Sequence, residues 1–118
     1  MALIRATALL TSRQVTVYKW SGVHEGDTFE PVNMATKNEK GFQVSGSFGT
    51  SGAIGLEGNL ESSTSQVWFR CTTQGGSLIN LTTPNRVYVI ENDLWNRPVI
   101  LAGTGLTLDI ILMAREAM

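Results

Sequence analysis

The sequence predicts an all-β fold: a single-domain antiparallel β-sandwich, jelly-roll-like, of about eight short strands. Three observations carry this. Short runs rich in Val, Ile, Phe, Tyr and Trp recur along the 118 residues, separated by clusters of Gly, Asn, Ser and Pro. No window of helical length repeats its apolar residues at a 3.6-residue period. The last segment, 105–115, sets Leu106, Leu108, Ile110, Leu112 and Ala114 on every second position, with Thr107 and Asp109 between them. Successive side chains of a strand point to opposite faces, so this segment has one apolar face and one mixed face.

Taken in order, residues 1–12 form an N-terminal segment or arm, expected to pair as a strand or to reach a neighbour, and 13–118 form the domain. The first strand spans 13–20, with Val15 and Val17 on one face and Tyr18 and Trp20 on the other. A polar connection through Gly26-Asp27 leads to a short strand at 28–32. Residues 33–41, with Lys37, Asn38, Glu39 and Lys40, read as a loop, with or without one helical turn. Phe42, Val44 and Phe48 alternate cleanly, and 53–57 continues the pattern after a Gly49–Gly52 turn. A Ser/Thr-rich loop over 59–66 precedes a strand at 67–71. Gln74-Gly75-Gly76-Ser77 turns into 78–81, and Thr83-Pro84-Asn85 turns into 86–90. Pro98 lies inside the run 95–101; a residue with no N–H to donate predicts an edge strand or a strand that starts after it. Gly46 and Gly55 within strand patterns predict bulges or close backbone approach, which suits a jelly roll better than a flat sheet.

Composition narrows function. Charged residues are only 16% and the net charge is −1, so there is no basic footprint for nucleic acid and no polybasic patch for a membrane. Cys71 is the single cysteine, which excludes a disulfide within the chain and, without a base partner, reads as a small core residue. The start, Met1 to Leu10, superficially resembles a signal peptide, but Arg5 interrupts it and the apolar run is short. With no run approaching ~20 apolar residues, the chain reads as soluble and made in a cytosol.

Catalytic readings find little support. His24-Glu25-Gly26-Asp27 is the densest group of potential metal ligands, yet no second cluster completes a ligand set, and Gly and Asp belong in such a turn for conformational reasons. His24 is the only histidine, so Ser-His chemistry has a single possible base, and the Gly-Ser strings lack a hydrolase's strand-turn-helix context. Glu57, Glu61, Glu91, Asp93 and Asp109 are the carboxylates a glycosidase would pair, but a short chain has little loop with which to build a sugar cleft. The expectation is a non-enzyme that takes no cofactor and no metal. Trp20, Trp68 and Trp95 allow a second reading, a carbohydrate-binding module that stacks indoles on sugar rings.

Contact chemistry concentrates at four residues. Ile111 and Met113 are apolar where the outward face of the last strand should be polar, and they predict cover by a partner. Trp95 beside Asn96 and Arg97 has the composition of an interface hot spot. From Phe42 onward the chain also carries Val44-Ser45-Gly46-Ser47-Phe48-Gly49, Leu56-Glu57-Gly58-Asn59, Trp68, Gly75-Gly76, Glu91-Asn92, Arg97-Pro98, Gly103-Thr104-Gly105 and the strand ending Ala114-Arg115. In this order the block, about two-thirds of the chain, resembles small bacteriophage structural proteins of the capsid cement or decoration type. It departs at 60–66, where a longer Ser/Thr loop replaces a compact turn, and the first forty residues carry none of it. The resemblance implies a virion protein on the capsid exterior, made in the host bacterial cytoplasm. It would bind the major capsid protein and assemble as a homo-oligomer, a dimer or trimer, with no nucleic acid and no membrane as partner. A tail or head-fibre component is the close variant.

Overall fold

The computed structural model describes residues 2–35 and 37–116. Among them the chain forms eleven strands and no helix: β1 (Leu3–Ile4), β2 (Thr7–Thr11), β3 (Val15–Val23), β4 (Thr28–Phe29), β5 (Val32–Asn33), β6 (Glu39–Ser47), β7 (Thr50–Asn59), β8 (Phe69–Arg70), β9 (Asn85–Val89), β10 (Trp95–Thr104) and β11 (Thr107–Arg115). The first sheet has the order β2-β3-β11-β6-β9 and the second β5-β10-β7-β8. All pairings within these two sheets are antiparallel. Early strands lie against late ones, β3 beside β11 and β5 beside β10, and β6 and β7 complete the wrap. That is the strand order of a jelly roll with β2 added at one edge. The all-β sandwich read from the sequence is therefore present, and so is its jelly-roll winding.

The alternation in β11 decides where the core lies. β11 is central in its sheet, paired with β6 from Thr107 to Arg115 and with β3 from Leu108 to Arg115. Its inward residues Leu108, Ile110, Leu112 and Ala114 are fully or almost fully buried, in one cluster with Trp20, Phe42 and Val44 of the same sheet and Ile54 and Leu56 of β7. Fully burying one such aliphatic side chain is worth roughly 1.5–3 kcal/mol, so the face-to-face packing of the two sheets dominates stability. The indole of Trp20 satisfies its N–H inside this core by donating to the Glu30 carbonyl at 3.1 Å.

One corner joins the sheets twice. β6 passes to β7 through Phe48-Gly49, and β10 passes to β11 through Gly105-Leu106. The crossings run side by side, because Thr104 pairs with Thr50 and Thr107 with Ser47. Glycine is required at two points of this corner. Gly49 has φ +59°, and a Cβ there would lie 2.0 Å from the Thr104 carbonyl oxygen; at Gly52 it would lie 2.1 Å from the Phe48 carbonyl oxygen. The carboxylate of Glu25 clasps the same corner, accepting the N–H of Gly105 at 2.9 Å and of Leu106 at 3.2 Å.

The segment 2–12 folds back on the sandwich. β1 pairs with β4 in parallel, and β2 runs along β3 with Leu9 bulged out of register. Glu30 accepts the Ala6 N–H at 2.9 Å, and Asp27 accepts the Ala2 N–H at 2.9 Å.

Three segments differ from the sequence reading. The stretch 28–32 is two strands instead of one: β4 pairs with β1 and β5 with β10, and Pro31, which has no N–H to donate, lies where the chain changes partner. The expected loop 33–41 is ordered at both ends: Val32–Asn33 pairs with β10, and β6 begins at Glu39 instead of Phe42. The expected strand at 78–81 makes only isolated bridges, Thr72 to Leu78 and Ile54 to Leu81, between two tight turns. β10 includes Pro98 and begins before it. Among the described residues β5 pairs only Trp95 and Asn96, so from Arg97 onward β10 is open on that side, the edge position that was one of the two expectations for Pro98, and the proline costs no bond there.

Candidate interaction surface

The outward face of the first sheet is built by the register. Met113 pairs with Val17 of β3 and Gly41 of β6; Val17 pairs with Leu10 of β2, and Gly41 with Tyr88 of β9. Residues directly opposite in a ladder share a face, so Leu10, Val17, Met113, Gly41 and Tyr88 form one apolar row across all the strands of the sheet. Leu10 is 49% exposed and Tyr88 57%. Gly41 has the role of a gap: a Cβ there would meet Met113 Cε at 3.6 Å and Tyr88 Cε1 at 3.9 Å, so those two side chains close over it.

Beside this row runs a mixed one, Thr7, Lys19, Ile111, Gln43 and Arg86. Ion pairs frame the two: Lys19–Asp109 at 3.9 Å on one side and Arg115–Glu39 on the other. At the β9 end a groove of about 510 Å³ opens between Met113, Tyr88, Ile90, Gln74 and the Arg115–Glu39 pair. An apolar centre with a polar rim of both signs is the anatomy of a protein–protein contact. Ile111 and Met113 are half-buried by their neighbours and take their places on this face.

Trp95 and Arg97 lie elsewhere. Both are on β10, in the second sheet, and alternate with the buried Asn96 and Pro98, so they face outward on that sheet. Arg97 is already engaged. Its Nε donates to Glu57 Oε1 at 2.7 Å and its guanidinium stacks 4.0 Å from the Trp68 ring centroid. Arg70 lies against Gly55 of the same sheet and donates through Nη2 to the Ile79 carbonyl at 2.6 Å. The four sequence-predicted contact residues thus fall on two different sheets, two on each. A further apolar set, Leu60, Val67, Phe69 and Leu78, is exposed around the short edge strand β8.

The remaining sequence candidates have structural partners. Asp27 accepts the His24 N–H at 2.8 Å, and Glu25 holds the corner; among the described residues no cluster of three or more His, Cys, Asp or Glu is placed to hold a metal. The Gly105 N–H, then the backbone N–H groups of Glu25 itself and Leu106, keep the Glu25 carboxyl below its ordinary 4.5. Glu57 and Asp109 belong to different sheets, and neither is free: Glu57 pairs with Arg97, while Asp109 accepts the Gly22 N–H at 3.1 Å. Trp20 is in the core, Arg97 lies over one face of the Trp68 ring, and Trp95 is half-buried on β10.

Sequence reading passed over a buried polar cluster between the sheets. Lys40, placed in an expected loop, is 2% exposed and points inward with Phe42 and Val44. Its Nζ donates to the Asp93 carbonyl at 2.8 Å and to Asn96 Oδ1 at 2.9 Å. Asn96 in turn donates to the Glu57 carbonyl at 3.3 Å, with Cys71 Sγ 3.7 Å from its Nδ2; the Cys71 thiol donates to Asp93 Oδ2 at 3.5 Å. Burial lowers the Lys40 pKa, partly countered by the carboxylate of Asp93, and burial pushes the Cys71 thiol far up, so it stays protonated. Burial alone would raise Glu91, but hydrogen bonds from the Thr72 hydroxyl and N–H outweigh it and hold the carboxyl below 4.5. The available signal for Lys40 was phase: counting back by twos from Val44 and Phe42 reaches it.

No protein-family model matches this sequence, and no curated protein matches it either. Among solved structures the chain is similar to the crystal structure of YomS, a protein derived from the SPBc2 prophage, with a TM-score of 0.58 at 14% identity over 92% of this chain and 98% of that one. At that identity the likeness is one of fold, and it extends over nearly the whole of both chains.

Proposed function

We propose that this chain is a bacteriophage virion structural protein, a cement or decoration protein that binds the major capsid protein on the exterior of the head shell. The observation that carries the reading is the apolar row Leu10–Val17–Met113–Gly41–Tyr88, framed by ion pairs on an outward sheet face. Two further facts support it. The fold is shared with a prophage-derived protein, and jelly rolls recur in viral capsid domains. Fold likeness alone never fixes a function, so the weight rests on the surface.

Binding on a lattice needs no strong single site. Burying apolar surface contributes ~25 cal/mol per Å², and an oligomer that engages several lattice sites at once multiplies a modest contact. In this reading the protein is a homo-oligomer whose copies meet through the apolar residues around β8, and the chain is not an enzyme. The sugar-binding alternative is less well supported, because Trp20 and Trp68 are not open to a ring. Purified protein added to particles that lack it should co-sediment with them and raise their resistance to heat. Protein that stays in the supernatant at every concentration, with particle stability unchanged, would count against the proposal.

A further inference from the structure

We infer that Lys40 and Asn96 form an intramolecular amide cross-link, from Lys40 Nζ to Asn96 Cγ, that ties β6 of one sheet to β10 of the other. Lys40 is 2% exposed and Asn96 0% exposed, and Nζ already lies 2.9 Å from Oδ1, one bond from the carbon it would attack. Both backbones are fixed in ladders, Lys40 between Val89 and Ala114 and Asn96 opposite Gly58. Holding two reactants in place this way removes most of the entropic barrier to their reaction. Water, which would compete for the amide carbon, is kept out by the core around them.

Two features go beyond an ordinary buried hydrogen bond. A buried ammonium is costly, and desolvation favours the neutral amine that is the nucleophile. The Asn96 amide nitrogen is the leaving group: the Glu57 carbonyl holds it at 3.3 Å, over Gly58, where an added Cβ would lie 2.7 Å from Nδ2.

The chemistry balances without a co-reactant. The Lys40 ammonium releases one proton to solvent. The amine lone pair attacks Asn96 Cγ, the C=O electrons move to Oδ1, and a tetrahedral centre forms. A proton passes from the attacking nitrogen to Nδ2, and the Cγ–Nδ2 bond breaks as the C=O re-forms. A secondary amide replaces a primary amide, and the departing ammonia takes up the released proton as an ammonium ion. Cys71, kept as the thiol, is a neighbour that does not react.

Intact-mass measurement of the purified full chain tests this without any variant. The expected mass is about 17 Da below the sequence mass, one ammonia lost. After digestion, Lys40 and Asn96 should appear in one linked peptide pair, with no tryptic cut after Lys40. Lys40→Met and Asn96→Ala should each show the full mass of its own sequence. A full chain at the unmodified mass, with Lys40 and Asn96 recovered in separate unmodified peptides, would overturn the inference.

Discussion

At the scale of single residues, Lys40 is the position on which most depends. It sits where an aliphatic side chain would be expected, and its amine answers the Asp93 carbonyl and the Asn96 side chain. Lys40→Met keeps the stem but removes the amine, so no cross-link can form and Asn96 Oδ1 is left without its donor. Leaving a buried acceptor unsatisfied costs about 1–3 kcal/mol, read as a lower urea midpoint with an unchanged slope. The acid side of stability is set by other residues. Glu25 and Glu91 both have pKa values below 4.5 in the folded chain. The sign follows: each carboxylate contributes fully above its unfolded value, and that contribution is lost as pH falls through the lower folded value. Melting temperature against pH should therefore fall on the acid side, beginning below about 4.5. Glu25→Gln should lower it at neutral pH and flatten the acid limb. Lys40 shows why such sites were hard to read. Its neighbours Lys37, Asn38 and Glu39 are polar, and its partner Asn96 is 56 positions away. Local composition thus argues for a loop, and only the tertiary register reveals a core position.

At the scale of elements, β11 was legible because period-2 alternation is a local property. Leu108, Ile110, Leu112 and Ala114 are inward as read, and Ile111 and Met113 outward. The apolar row was not legible, because Leu10, Val17, Gly41 and Tyr88 join Met113 only once five strands have found their register. Trp95 and Arg97 were grouped with Ile111 and Met113 by chemistry, and topology separates them. The split of 28–32 at Pro31 was readable in principle, since proline lacks the ladder donor. The glycine corner makes its own prediction. Gly52→Ala places a methyl against the Phe48 carbonyl and the Leu106 side chain, and an overpacked site of this kind costs about 1–3 kcal/mol. A thermal melt checks it. On the outer face the expectation is the reverse, because exposed substitutions there should leave folding within about 0.5 kcal/mol. Tyr88→Glu and Leu10→Glu should nevertheless weaken particle binding by about 30-fold each, the effect of losing an interface hot spot of about 2 kcal/mol. Titration of particles with labelled protein measures this directly.

For the whole molecule, the jelly roll explains how a chain with little charge and no disulfide holds together while offering broad sheet faces. Early and late strands pair, so the two halves of the sequence are interleaved, and the Lys40–Asn96 contact spans the sandwich where the sheets face each other. The outward face of the first sheet is left to make contacts, and its apolar row is the core of the functional proposal. Oxidative footprinting of the free and particle-bound protein tests that claim most directly. Met113 and Tyr88 should lose reactivity on binding, while the exposed His24 keeps it. Unchanged reactivity at Met113 and Tyr88, with protection at Trp95 and Phe69 instead, would contradict the account and move the contact to the second sheet.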